Sequence, residues 1–148
     1  MKEQLDPLKV LVDGSDFDKT LILDNFYQNI DVQSSSSADL AKLLDDTIRG
    51  TENLYIIRCA FTVLCDLTSL SLINNEYVAL FYLKDFLASS DETLTLIALK
   101  YLPYFPSVYG KEQNKIEALS DSDNGDIASQ AFFCMGLSTL ISPSVSRT

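Results

Sequence analysis

The chain has no histidine and no tryptophan, and only three cysteines, five glycines and four prolines among 148 residues. Without histidine, no serine or cysteine nucleophile has an imidazole base, and the common zinc sets that include histidine are excluded. Three thiols cannot complete a four-cysteine zinc site. Cys59, Cys65 and Cys134 are odd in number and contain no close pair. Each sits in an apolar helical context, so buried free thiols are expected in preference to disulfides. No glycine-rich phosphate loop follows a strand. No run approaches the ~18 apolar residues of a membrane span, and Met1 to Pro7 lacks the uninterrupted apolar core of a signal peptide. The sequence therefore reads as a soluble, cytoplasmic chain that calls for no cofactor and no metal.

Positive charge is also scarce. Eleven basic residues face 21 acidic ones, a formal charge of -10. Such a balance repels phosphate backbones and anionic lipid surfaces, so neither nucleic acid nor membrane is an expected partner, whereas a basic protein is compatible with it. The excess is spread along the chain: -4 over residues 1–33, -1 over 34–50, -3 over 51–105 and -2 over 106–148. No acidic tail is present, and a solvated surface accounts for most of this charge.

What the chain does contain is helical periodicity. Leu94, Ala98 and Leu102 fall four apart on one helix face, with the small Ala98 where a neighbouring helix can approach closely. The same triplet recurs as Ile56, Ala60, Leu64 and as Ile127, Ala131, Met135, and each alanine precedes a bulky apolar residue, Phe61, Leu99 or Phe132. The alanines are 38 and 33 residues apart, and each interval has room for one helix pair. Such periods belong to stacked helical hairpins, whose units cannot bury their apolar faces alone.

Residues 1–33 read as an N-terminal capping segment. Leu5, Leu8, Leu11 and Val12 fit a short helix with Pro7 in its first turn, and Val10 to Val12 equally fit a strand. Ser15 or Asp16 caps a second helix carrying Phe17, Leu21, Phe26, Tyr27 and Ile30. Ser36 and Asp39 have capping-box spacing before a helix that Gly50 ends. Thr51 and Glu52 open a long helix that stops near Leu72, Asn74 and Asn75 mark a turn, and a helix covers Glu76 to Leu87. Ser89 and Glu92 repeat the capping-box spacing ahead of the Ala98 helix, which Pro103 weakens. Pro106 and Gly110 predict a loose segment before a short helix over Lys111 to Leu119. Asp121 to Gly125 reads as a turn, and Ile127 to Ile141 as the last long helix. Residues 34–142 are thus expected to form one repeat domain and 143–148 a frayed tail, with self-association or continuation into a longer array both open.

Over residues 36–142 the apolar positions, together with the turn acids Glu52, Asp91 and Asp123, resemble HEAT and armadillo-type repeats. Glu52 and Arg58 satisfy the acid and the arginine six residues on, while the later positions hold Leu96 and Ser129. The resemblance implies an all-α, right-handed superhelix of about three stacked helical hairpins behind the N-terminal cap. It also implies a non-catalytic protein-interaction module or scaffold, since protein binding is the commonest use of that family.

In such stacks the second helices line one face. Positions two before, two after and six after each alanine give Arg58, Thr62 and Asp66, then Leu96, Lys100 and Tyr104, then Ser129, Phe133 and Leu137. This strip mixes charges with aromatics, as interfaces do. Tyr101, Tyr104, Phe105 and Tyr109 form a second aromatic cluster around the prolines. The expected binding residues are Arg58, Thr62, Asp66, Lys100, Tyr101, Tyr104 and Phe133.

Two motifs point elsewhere. Asp16-Phe17-Asp18-Lys19-Thr20-Leu21 is similar to the first motif of haloacid dehalogenase-type phosphotransferases, which implies a nucleophilic Asp16, an acid/base Asp18 and Mg²⁺. That chemistry needs the nucleophile at the end of a buried strand, whereas an acidic cap and first helical turn need only the carboxylates. Asp121 to Asp126 clusters carboxylates as calcium loops do, but Gly125 comes fifth and Phe132 twelfth, where an EF-hand has Gly sixth and Glu twelfth. A small acidic inhibitor or immunity-type protein that neutralises a basic partner is the main alternative to the interaction module.

Overall fold

The computed structural model describes residues 6–33, 36–70 and 76–141. Nine α-helices and one 3₁₀ turn make up this part, and no strand occurs among the described residues. The chain forms two compact units, Met1–Ala79 and Leu80–Thr148.

The first unit begins with α1 (Pro7–Asp13), α2 (Asp16–Asp24) and the single turn α3 (Phe26–Asn29). Pro7 occupies the first helical turn, where its missing N–H leaves no bond unmade, and Asp6 accepts from the Leu8 amide. The strand reading of Val10 to Val12 is thereby excluded. Ser15 caps α2 by accepting from Asp18 N at 3.1 Å. The second helix is not continuous as expected, because Asn25 leaves helical geometry and separates α2 from α3. Its inward face also differs from the expected one: Phe17 is 71% exposed and Leu21 half exposed, while Lys19 and Leu23 turn inward.

Next come α4 (Ser37–Arg49) and α5 (Leu54–Ser69). Ser36 Oγ accepts from Asp39 N and Gly50 caps the end of α4, both as its sequence predicts. Leu40, Leu44 and Ile48 bury one face of that helix, with charged residues on the other. The N-cap of α5 is Asn53, which accepts from the amides of Tyr55 and Ile56, so the helix starts beyond Thr51 and Glu52. The predicted end near Leu72 and the Asn74-Asn75 turn reach outside the described residues. Helix α1 packs on α2, α4 on α5, α1 on α4 and α2 on α5. Ile56, Ala60, Phe61 and Leu64 are fully buried along α5.

The division between the units falls within α6 (Glu76–Leu87). The second unit continues through α7 (Glu92–Tyr101), a 3₁₀ turn (Leu102–Tyr104), α8 (Pro106–Leu119) and α9 (Gly125–Ile141). Asp91, not Ser89, caps α7 by accepting from Leu94 N; Ser89 Oγ instead accepts from Asp91 N. Buried Thr95 donates towards the carbonyls of Phe86 and Ser89, tying α7 to the end of α6. Pro103 converts the end of α7 to 3₁₀ geometry.

The loose segment predicted after Pro106 is instead helix. Proline is compatible with a first turn, and α8 runs from Pro106 through Gly110, with a kink at Glu112 (φ -110°, ψ 18°). Asn124 caps α9, accepting from Asp126 N and Ile127 N, so the helix starts two residues before the predicted Ile127. Helix α9 packs on both α7 and α8. The Cys134 thiol donates to Leu99 O at 3.0 Å, beside the fully buried Ala98 and Ala131. The third triplet is less enclosed than the others: Met135 is half-buried and Phe132 exposed.

Candidate functional site

The predicted binding residues divide between the two units. On α5, Arg58, Thr62 and Asp66 are all half-buried. Thr62 Oγ1 donates to its own helix at Arg58 O, 2.8 Å away, the ordinary recourse of a threonine inside a helix. Asp66 accepts from Tyr27 OH at 2.7 Å, so its carboxylate joins α3 to α5. Two parallel ties reinforce this seam: Tyr55 OH donates to Asp24 at 2.8 Å, and Asn53 Nδ2 to Asp16 at 3.2 Å. The α5 part of the strip is therefore partly occupied by contacts within its own unit.

These ties also place Asp16 and Asp18. Both lie in the first turn of α2, at a helix start and not at the end of a strand, and Asp16 is exposed. Among the described residues no group of three or more Cys, Asp or Glu is arranged to hold a metal ion. Of the Asp121 to Asp126 segment, residues 121–124 form a turn ending in the Asn124 cap, and Gly125 and Asp126 begin α9.

In the second unit, the predicted residues are more open. Lys100 is exposed, Tyr104 is 63% exposed and Phe133 57% exposed. Tyr101 is half-buried, and its ring lies 6.2 Å from that of Tyr104, tilted by 40°. Lys100 and Phe133 each stand two residues after a fully buried alanine, a rotation of about 200° that carries them to the far side of the helix. Packing of α7 on α9 fixes the alanine face inward and thereby turns these side chains outward. Phe132 is exposed as well, unlike Phe61 and Leu99 at the matching positions, which are fully buried. Leu96 is half-buried and Ser129 exposed, and the side chain of Leu137 lies outside the described set.

Burial, the dominant influence, raises the pKa of all three thiols. It pushes Cys134 to about 11, Cys65 further still, and half-buried Cys59 above its usual range. Thiolate, the reactive form, is accordingly scarce near neutral pH. The Tyr55 phenol is pushed to about 12, first by its hydrogen bond to Asp24 and then by Cys59 beside it.

Sequence reading missed the phenol and amide ties, because partners 31 to 39 residues apart leave no local signal. It also missed a groove between α1 and α4, which Leu8 and Val12 line while half exposed. No family model, curated protein or solved structure matches this chain.

Proposed function

We propose that the protein is a non-catalytic interaction module built from stacked helical hairpins, binding another protein through the outer face of its second helices. Helix-on-matching-helix packing within the first unit supports the repeat reading: α1 and α2 pair, α4 and α5 pair, and the pairs meet as α1 on α4 and α2 on α5. On this reading the stack is right-handed, with about three hairpins behind the N-terminal one. The observation that carries the functional reading is the exposure of Lys100, Tyr104 and Phe133 in the second unit, where packing of α7 on α9 already fills the inner side of both helices. Exposed aromatic side chains, tyrosine above all, are enriched at interfaces and at their hot spots.

The test is affinity capture from a cell lysate with mass spectrometry, comparing the wild type with Tyr104→Ala, Phe133→Ser and Lys100→Ala. Partners retained by the wild type and lost by the aromatic variants, with helicity unchanged, are the expected result. An identical captured set for all four proteins would refute this face. A small acidic inhibitor of a basic partner is a second reading. It is favoured by the concentration of thirteen acidic against six basic residues between residues 1 and 79, a formal charge of -7.

A further inference from the structure

The outer sides of α1 and α4 form an open groove of about 640 Å³, wholly within the first unit. Leu40 and Leu43 of α4 make its floor, already covered by the packing of α1 on α4. Leu8 and Val12, four apart on α1, line it while remaining 46% and 44% exposed. Four carboxylates surround this apolar surface. Asp6 and Asp13 bracket α1, and Asp39 and Asp46 lie on α4. Each pair is seven residues apart, about 10 Å or two turns along its helix. Lys9 and Lys42 also line the groove, but Lys42 is held by Asp46 at 2.9 Å. The side-chain carboxylates of Asp13 and Asp39 have no hydrogen-bond or ion-pair partner among the described residues.

We propose that this groove docks a cationic amphipathic helix of a partner protein. Its apolar residues, spaced three and four apart, cover Leu8 and Val12, and its Lys or Arg residues face Asp13 and Asp39. Charge complementarity selects this occupant. An anionic ligand meets four carboxylates, and a second copy of the chain brings a formal charge of -10 against a unit that already carries -7. The groove lies on α1 and α4, so the inference stands apart from the second-helix face.

The test uses the full chain and a fluorescent Lys/Leu peptide of about four helical turns. A Lys/Ala peptide of equal charge and a Glu/Leu peptide serve as comparisons. Anisotropy titrations should show binding of the Lys/Leu peptide, roughly tenfold or more weaker binding of the other two, and a similar loss in Val12→Lys and in the Asp13→Asn/Asp39→Asn pair. Backbone amide shifts should concentrate on α1 and α4. Equal affinity for the Lys/Ala peptide would reduce the effect to bare charge attraction and overturn the proposal. So would unchanged affinity in the Asn pair, amide shifts centred on other helices, or a dimer that Val12→Lys dissolves. The Asn pair keeps the experiment decisive if Val12→Lys perturbs folding, because Asp13 and Asp39 are exposed and Asn at position 39 keeps the backbone N–H that Ser36 caps.

Discussion

A phenol that donates a hydrogen bond to a carboxylate is a weaker acid than a free one, and Tyr55 is such a phenol. Its pKa rises from 10.0 to about 12, with the Asp24 bond as the main cause. A folded-state pKa above the unfolded one means that the folded form holds the proton longer, so stability falls as pH rises between the two values. The contribution of the bond is complete below pH 10 and disappears as pH passes from 10 towards 12. Tyr55→Phe should therefore have a lower urea midpoint than the wild type at neutral pH, with the gap closing across that window. A gap that stayed constant to pH 12 would show that the phenol contributes packing alone. At Ala98, by contrast, volume decides. The site is fully buried, and Ala98→Trp should cost at least the ~1–3 kcal/mol of ordinary overpacking. Two residues on, exposed Lys100→Ala should stay within about 0.5 kcal/mol in the same denaturation experiment. A reversed order of these two variants would place the helix face wrongly.

At the scale of elements, the sequence predicts helices well and their beginnings less well. The Ser36 cap is visible because serine and an acid three residues later satisfy a local geometric rule. Glu52 and Asp123 looked like helix openers, yet the residues after them, Asn53 and Asn124, provide the capping oxygen. Asparagine caps as well as aspartate does, so composition alone does not rank neighbouring candidates. Helix α8 shows a different ambiguity. Proline and glycine signal a break only when proline falls beyond the first turn; at Pro106 it starts the helix and leaves Gly110 inside it. A Cβ added at Gly110 meets nothing within 4 Å, and its backbone needs no left-handed conformation. Gly110→Ala should accordingly stabilise the protein by about 0.4–1 kcal/mol, chiefly by restricting the unfolded chain. For a chain of this length that is a rise of about 2–4 °C in melting temperature per kcal/mol. A fall in melting temperature would contradict a helical Gly110.

Across the whole molecule, the alanine triplets made the inward faces of α5 and α7 legible, since a period of four states which residues face inward whatever they face. Ile56, Ala60 and Leu64, and likewise Leu94, Ala98 and Leu102, are all buried. Helix α2 was not legible in the same way. Lys19 turns inward and Phe17 outward because the packing of α1, α3 and α5 around α2 decides its orientation, and those neighbours lie up to about fifty residues away. The exposed strip was partly legible: Lys100, Tyr104 and Phe133 are open as the periodicity implies, whereas Asp66 is engaged by a tyrosine that no local pattern pairs with it.

Net charge acts at this same scale, and on two properties in opposite directions. Like charges on a folded chain carrying -10 repel one another more strongly than in the expanded unfolded state, so screening favours the compact form. Attraction between that surface and a basic partner is weakened by the same screening. Raising the ionic strength from ~0.01 M to ~0.15 M shortens the Debye length from about 30 Å to about 8 Å. The urea midpoint should therefore rise over that interval while affinity for a cationic peptide falls. The two exposed i,i+4 ion pairs, Lys42–Asp46 and Arg49–Asp45, pull the midpoint the other way, but pairs of this kind contribute only about 0.3–0.5 kcal/mol each even before added salt. Denaturation and peptide titration on the same salt series separate the effects. A midpoint that fell with salt would mean that specific ion pairs outweigh the general repulsion. An affinity indifferent to salt would remove the acidic surface from recognition, leaving exposed Leu8, Val12, Tyr104 and Phe133 to account for binding through apolar contact.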